Sequence, residues 1–357
     1  INNITSFESI KYVSEPVVTI AVESKHPRDL PKLVEALRKI SIEDPNLVVR
    51  INEESGEMLL AGMGVLHLEI ATTLLQQQDL EIITSQPLIN YRETVRGSAG
   101  PVMSKSPNRH NKIFMKVEPL KEDIVELIRT GRIGENMDKK EVAKILREKG
   151  WDATEAKSIV AFDERGNVLL DLTKGVQFLQ ESLDSIRAGF VDVLLSGALA
   201  HEYTRGVKLM LHHYVPHEDP AHRTYAQLMP ASRRSILGSI LSADPILLEP
   251  LLGIEVRCPT DLIGAVAGVI SSKRGKMLNV NQKEVMAIID GEIPASETFD
   301  ISEVMRGATA GKAIWNTHFK SWTAVPNSMM TNLVREIRKR KGLPVEPPNP
   351  NEFIDKE

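Results

Sequence analysis

Residues 211–227 read Leu-His-His-Tyr-Val-Pro-His-Glu-Asp-Pro-Ala-His-Arg-Thr-Tyr-Ala-Gln and contain four of the nine histidines in the chain. The two prolines, Pro216 and Pro220, each fix their own φ and lack a backbone donor. They predict that the stretch is neither a regular helix nor a central strand. We therefore expect an exposed loop that carries imidazoles, two carboxylates and a guanidinium.

Three interpretations of this loop compete. Clustered imidazoles and carboxylates can ligate zinc, but His217, Glu218 and His222 are spaced one residue too widely for the zincin pattern, and Pro220 interrupts the helix that would align them. A solvated polar loop is the second interpretation. The third is contact with nucleic acid, because imidazole, guanidinium and tyrosine groups stack on bases and bond phosphate or 2′-hydroxyl groups. Spacing alone does not choose between the last two.

Several motifs resemble one known family in the same order along the chain. Residues 217–223 are similar to the diphthamide loop of archaeal and eukaryotic translation elongation factor 2, and residues 104–111 resemble the loop that lies beside it in that family. Residues 53–57 and 66–69 resemble motifs of its third domain, and residues 273–275 resemble a turn of its fifth. The chain is therefore identified as a member of this family, related to its domains III to V.

Two parts of the chain share one order of predicted elements. Residues 17–83 read strand, helix, strand, strand, helix, strand, with Leu66, Ile70 and Leu74 as the apolar positions of the second helix. Residues 251–318 read the same way, and this βαββαβ order is the ferredoxin-like split unit. The resemblance implies that the segment between them folds like ribosomal protein S5 and projects from the body.

The predicted fold class is therefore α+β, with two ferredoxin-like βαββαβ domains flanking a domain like ribosomal protein S5. The expected boundaries are 1–87 for domain III, 88–246 for domain IV, 247–325 for domain V, and 326–357 for a C-terminal helix and tail. In relatives that helix packs on domain IV.

Composition excludes several classes of protein. The 357 residues are 42% hydrophobic and 26% charged, which is typical of a soluble globular protein. The net charge of −4 argues against a generic nucleic-acid coat, so any RNA contact must come from local basic segments. The longest apolar run is too short to span a membrane. The single cysteine, Cys258, forbids an internal disulfide and fits a reducing cytosol, so a cytoplasmic location is expected.

No catalytic constellation is found in the sequence. The phosphate-loop pattern is absent, and no Ser-His-Asp or Cys-His pair indicates a nucleophile, so we expect no enzyme activity and no cofactor in this chain. The resemblance implies that GTP and Mg²⁺ belong to a GTPase domain that the chain lacks.

The resemblance also implies roles for individual residues. His222 is the candidate for conversion to diphthamide, which makes the diphthamide-synthesis enzymes expected partners. The residues expected at an RNA-contacting tip are Lys105, Ser106, Pro107, Asn108, Arg109, His110, Asn111, His217, Asp219 and Arg223. Within this set, Arg223, Arg109 and Lys105 are expected to meet phosphate, while Asp219 and His217 hold the shape of the loop. Family members usually continue with Gly where Thr224 and Tyr225 follow here, which leaves open an unmodified histidine and a divergent archaeal copy.

The function implied is that of the C-terminal part of elongation factor 2. The intact factor promotes GTP-dependent translocation of tRNA and mRNA on the ribosome, and its tip contacts the codon–anticodon duplex in the decoding region of the small subunit. A monomer without membrane contact is expected. The alternative is a stand-alone or divergent ribosome- or RNA-binding paralogue without translocase activity, and a metalloenzyme is a third possibility.

Four further features have local interpretations. Residues 335–341 carry five bases and one acid, which indicates either a solvated helix face or a contact with ribosomal RNA. The motif at 273–275 predicts a helix C-cap with Gly275 in the left-handed conformation. His67 is expected to be a partly buried structural histidine, and Cys258 to be buried packing.

Overall fold

The computed structural model describes residues 15–52 and 57–356 and separates into two compact units. One unit contains the described residues up to Tyr91 together with Glu249–Thr323, and the other contains Arg92–Leu248 and the chain from Ala324 onward. Residues 53–56, from the motif at 53–57 that resembles the third domain of the family, lie outside the described residues. None of the helices in the described ranges is both long and apolar enough to cross a membrane.

The N-terminal part of the first unit is an antiparallel sheet covered by two helices. Its elements are β1 (Val18–Ser24), α1 (Leu30–Glu43), β2 (Val48–Asn52), β3 (Glu57–Gly62), α2 (Val65–Gln76), β4 (Ile82–Thr84) and β5 (Leu88–Ile89). The strand order is β2-β3-β1-β4, and β5 pairs with the start of β1 on the edge opposite β3. Alternate residues of β1, namely Val18, Ile20 and Val22, are buried, as the two-residue period of a half-buried strand requires.

The face of α2 that packs on the sheet is not the predicted one. Leu66 and Ile70 are about half exposed, whereas Leu68, Ala71 and Leu75 are buried. Both sets recur at helical spacing, so the sequence period does not say which set faces the sheet.

His67 is structural, as predicted. Its Nδ1 accepts a hydrogen bond from the Met63 backbone N–H at 3.1 Å, and its Nε2 lies 2.8 Å from Oδ2 of Asp44. The histidine therefore ties the start of α2 to the end of α1.

The second unit is built on a five-stranded sheet. Its elements up to residue 242 are β6 (Arg92–Val95), β7 (Ala99–Lys105), β8 (Lys112–Pro119), α3 (Glu122–Arg129), α4 (Lys139–Glu148), α5 (Ala153–Lys157), β9 (Ile159–Asp163), β10 (Asn167–Asp171), α6 (Leu179–Ser196), β11 (Val207–Val215) and α7 (Tyr225–Ser242). The strand order is β7-β8-β11-β10-β9, with β10 and β11 parallel. Side chains of α6, α7 and the sheet form one core around Phe190, Tyr214 and Ile236, and α3, α4 and α5 enclose a smaller core.

The prediction of a loop over residues 211–227 was wrong at both ends. Residues 211–215 belong to β11, which is the central strand of the sheet, and α7 begins at Tyr225 and contains Pro230. The loop is therefore only residues 216–224. A proline constrains itself and the residue before it, so Pro216 ends the strand without excluding the residues upstream.

The C-terminal part of the first unit repeats the topology of the N-terminal part. Its elements are β12 (Pro245–Pro259), α8 (Ile263–Ser272), β13 (Lys276–Lys283), β14 (Met286–Pro294), α9 (Ile301–Thr309) and β15 (Ile314–Ala324). The order β13-β14-β12-β15 corresponds to β2-β3-β1-β4. The first residues of β12, 245–248, pair with β6 inside the second unit. The predicted α+β fold class is confirmed.

The turn after α8 differs from the prediction in one respect. Arg274, not Gly275, has the left-handed backbone, with φ 53°. Gly275 is required for space, because a Cβ there would lie 2.6 Å from the carbonyl oxygen of Ile270. The Arg274 guanidinium binds the buried carboxylate of Glu249 at 2.7 Å, and its hydrogen bonds with Glu249 and Glu297 raise the pKa of Arg274.

Cys258 is buried, as predicted, and burial raises the pKa of its thiol.

The tail folds onto the second unit. Helix α10 (Asn327–Arg340) carries the basic run, yet Arg338 is buried and donates from Nη1 to the carbonyl of Leu199 at 2.9 Å. Lys341 donates to the carbonyls of Ala200 and His201. Part of the basic run is therefore packed on the turn after α6 and is not a solvated face.

The same turn encloses a buried carboxylate. Glu93 of β6 is fully buried, and its two oxygens accept hydrogen bonds from four backbone N–H groups, those of Ala198, Leu199, Ala200 and Glu202, at 2.7–3.0 Å. Gly197 leaves the necessary space, since a Cβ there would lie 2.5 Å from Oε1 of Glu93. The carboxylate thus fixes the turn on which α10 packs.

Replacing Glu93 with Gln should destabilise the protein by roughly 2–4 kcal/mol, because the new NH₂ group would face two N–H donors and leave both without an acceptor. Denaturant unfolding followed by circular dichroism would measure the loss. The exposed Glu148→Gln change is the control and should stay within about 0.5 kcal/mol. Equal stability of the two variants would contradict the structural role of Glu93.

Candidate nucleic-acid interface

The two loops singled out in the sequence lie side by side at one end of the sheet of the second unit. Strand β8 pairs with both β7 and β11, and Lys112 is opposite Lys105 on one side and Val215 on the other. The β7–β8 loop (residues 106–111) and the β11–α7 loop (residues 216–224) therefore leave the sheet at the same end of its strands. We call these two loops together the tip.

Asn111 joins the two loops. Its side chain is fully buried and donates from Nδ2 to Ser106 Oγ at 3.1 Å and to the carbonyl of His222 at 2.7 Å. Its Oδ1 accepts the backbone N–H of His217 at 2.9 Å. One amide, itself shielded from water, thus fixes its own loop and both ends of the neighbouring loop.

Two predicted RNA contacts are framework residues. Ser106 and Asn111 are both buried, and Ser106 Oγ accepts the backbone N–H of Asn111 at 3.0 Å, so neither side chain can reach an external ligand. Their polar groups bond within the loop. Asn108 is half-buried and donates from Nδ2 to the carbonyl of His222 at 3.2 Å. Its backbone N–H donates to Oε1 of Gln227 at 2.9 Å.

Three imidazoles form the outer layer of the tip. The ring of His222 lies 4.7 Å from that of His110 and 4.6 Å from that of His217, between centroids, and the third distance is 5.0 Å. His217 Nδ1 accepts the backbone N–H of Asp219, and Asp219 Oδ1 accepts that of Ala221. His217 and Asp219 therefore each accept a backbone N–H within the loop, and all three rings belong to residues that are exposed or half-buried.

The exposed cation of the first loop is Arg109, which has a left-handed backbone with φ 63°. Pro107 beside it is also exposed, and Lys105 is half-exposed, with its backbone N–H bound to Oδ2 of Asp355 at 2.7 Å. Sequence reasoning did not connect the C-terminal tail with the tip. Its contact with Lys105 joins segments 250 residues apart, for which no local pattern exists.

Arg223 does not occupy the phosphate-contacting position expected of it. Its side chain is only 3% exposed, and Nη1 donates to the carbonyls of His217 and Glu218. Nη2 binds a carboxylate oxygen of Glu181 at 2.9 Å, and the guanidinium lies 3.9 Å from the ring centroid of Phe178. Arg223 therefore holds the loop from inside, because its donors are used within the protein.

Phe178 lies against the tip, which the sequence did not reveal. It immediately precedes α6, has a left-handed backbone with φ 59°, and is 36% exposed. A left-handed conformation costs a residue with a side chain roughly 1–2 kcal/mol. From the sequence, an apolar residue just before a helix is predicted to be buried in the core. Only the contact with Arg223 shows that Phe178 lies beside the β11–α7 loop.

Among the described residues, no group of three or more His, Cys, Asp or Glu side chains is arranged to hold a metal ion.

Comparison with known proteins agrees with the tip motifs. Three family models match successive parts of the chain: Elongation Factor G, domain III over residues 13–86, Elongation factor G, domain IV over 131–244, and Elongation factor G C-terminus over 246–333. The protein named Elongation factor 2 from Cenarchaeum symbiosum is 58% identical over the whole chain, which covers 49% of that protein. Those from Saccharolobus islandicus and Staphylothermus marinus are 52% and 53% identical over 98% of the chain, which covers 48% of each.

The chain belongs to the elongation factor 2 family. The family predicted from the motifs is thereby confirmed. The chain spans about half the length of the curated relatives it matches, and the matched parts of the family are domains III and IV and the C-terminus. The domain boundaries and the roles of individual tip residues stay predictions.

Replacing Asn111 with Ala should loosen the tip, because the backbone N–H of His217 loses its acceptor and the carbonyl of His222 loses a donor. We expect hydrogen exchange of the His217 amide to accelerate at least about tenfold, which corresponds to roughly 1.4 kcal/mol of local stability. Asn281→Ala on exposed β13 is the control and should leave this amide unchanged. Unaltered exchange in the Asn111 variant would show that the amide does not fix the loop.

Proposed function

We propose that the chain is the C-terminal part, domains III to V, of an elongation factor 2 whose full-length form promotes GTP-dependent translocation of tRNA and mRNA on the ribosome. The name and identity of the relatives support this proposal. GTP and Mg²⁺ would bind in a GTPase domain outside this chain, which would perform no catalysis itself. The full-length factor would act in the cytoplasm as a monomer. The domains would be residues 1–87, 88–246 and 247–325, with 326–357 as the helix and tail on domain IV.

One observation supports the tip as the RNA-contacting surface: Asn111 ties two loops into one body that presents three imidazoles and Arg109 together. Proteins recognise RNA helices by shape and through phosphate and 2′-hydroxyl groups, so a pre-formed surface of donors and flat rings suits a codon–anticodon duplex. Arg109 and Lys105 would meet phosphate. Arg223 would support the surface from inside and would not touch RNA.

We also propose His222 as the site of modification by the diphthamide-synthesis enzymes. Its backbone carbonyl and N–H are bound within the tip, whereas the ring contacts of His222 are with His110 and His217. Thr224 has an extended backbone, with φ −66° and ψ 163°, and Tyr225 opens α7 with 59% of its surface exposed. Neither position needs the left-handed backbone that a glycine would favour, so the departure from the family pattern is compatible with this loop.

Replacing His222 with Ala in the full-length factor should slow translocation or raise frameshifting several-fold while leaving folding intact, because its ring makes no buried polar contact. Messenger displacement on programmed ribosomes would measure the rate, and thermal unfolding would test the fold. His212→Ala on β11 changes an exposed histidine from the same stretch and should have little effect. Arg109→Ala should resemble the His222 variant.

A variant of His222 with wild-type rate and fidelity would contradict the proposal. A wild-type factor that gave no GTP-dependent movement would favour a paralogue without translocase activity.

Modification of His222 can be measured directly. In protein made by its native host, the tryptic peptide 209–223 should carry the added mass of diphthamide, with fragment ions locating it at His222. Protein from a bacterial host provides the unmodified control. A native peptide without added mass would show that the tip works with unmodified histidine and would reject the modification.

A further inference from the structure

A third segment reaches the tip and carries an exposed aromatic ring. Residues 172–178 lead from β10 to α6, and the last of them is Phe178. A left-handed backbone is unfavourable at a residue with a side chain and persists only where the surrounding structure holds it. The local structure holds this backbone, since Ser182 Oγ donates to the carbonyl of Phe178 at 3.0 Å and also lies 2.9 Å from the hydroxyl of the buried Tyr214.

The ring is coupled to the histidine loop through one guanidinium. Arg223 lies over one face of Phe178, and the same guanidinium donates to the carbonyls of His217 and Glu218. Arg223 also follows His222 in the chain. The position of the Phe178 ring is therefore set by the loop that carries the candidate modified residue.

The charges around the ring favour stacking over a purely ionic contact. Glu181 offsets the charge of Arg223, and Glu218 and Asp219 are exposed in the adjacent loop. A phosphate gains little beside these carboxylates. An unpaired base needs only a flat face, and stacking on aromatic side chains is tolerant of sequence because every base has a π-face.

We propose that Phe178 is a stacking residue for an unpaired nucleobase of the RNA that meets the tip. This inference rests on the proposed RNA-contacting function and adds a third contacting segment, residues 172–178, to the two loops. The bound group is a single-stranded or flipped-out base, stacked on the part of the ring that Arg223 does not cover. Phe178 then contributes affinity, while Arg223 acts as its positioning residue.

The test uses the 357-residue chain and short single-stranded RNA, a purine hexanucleotide and a uridine hexanucleotide. In the Phe178→Trp variant, stacking should quench the new tryptophan emission saturably, and the purine RNA should bind more tightly. Phe299→Trp is the matched control, since Phe299 is 44% exposed and lies in the other unit, and RNA should not quench it. Both variants contain the same three native tryptophans, whose emission is subtracted with wild-type protein.

Phe178→Gly separates binding from folding. Glycine adopts the left-handed backbone without strain, so this variant should fold, with a melting temperature close to that of wild type. Its affinity for the purine hexanucleotide should fall about tenfold, whereas Phe178→Trp should bind within about twofold of wild type.

The outcomes distinguish this inference from the function on which it rests. No quenching of Phe178→Trp, together with weaker RNA binding by Arg109→Ala, would overturn the stacking role and leave the RNA-contacting tip in place. Quenching by intact ribosomes, but by neither the hexanucleotides nor ribosomal RNA freed of protein, would assign the ring to a protein partner and would also overturn it. Wild-type protein that bound neither RNA nor ribosomes would overturn both proposals.

Discussion

The tip depends on the buried amide of Asn111. It is the one side chain in the described structure that bonds Ser106, His217 and His222, and so it converts two loops from distant parts of the sequence into one body. A side-chain amide suits this position because it offers donors and an acceptor in one plane without a charge to desolvate. The positions of the three imidazoles follow from this arrangement, because two of the three rings sit on backbone that the amide bonds directly. A surface prepared before binding does not have to be ordered by its ligand.

The same device appears at the opposite end of α6. Four backbone N–H groups of residues 198–202 converge on Glu93, and Arg338 of the tail reaches a carbonyl of the same turn. In both places an irregular segment is stabilised by one buried polar side chain from another element, because loops cannot satisfy their own backbone groups as helices and strands do. In the second unit, both the tip and the turn that receives the tail are therefore stabilised by hydrogen bonds from a side chain to the backbone.

Local pattern sufficed for much of this protein. The alternation of apolar residues in β1 and the order of strands and helices predicted both ferredoxin-like sheets, since the hydrophobic period is a local property. Prediction failed where two faces of a helix were equally apolar, or where the contacts of a residue came from segments distant in the sequence. Both Leu66 and Leu68 lie in apolar series on α2, and only packing shows that Leu68 is the buried one. The sequence predicted that Arg223 contacts phosphate, but its guanidinium binds Glu181 and lies over the ring of Phe178.

The sequence alone determined the family, the fold class and the two loops of the candidate site, because contiguous motifs and short periods carry that information. Tertiary structure decided which polar residues of those loops face solvent and which are framework. It also decided that Phe178 and Asp355 reach the tip from segments with no sequence signal. The physical reason is that burial and hydrogen-bond partnership are properties of residues far apart in the chain, and the identity of a side chain fixes only what it is able to bind.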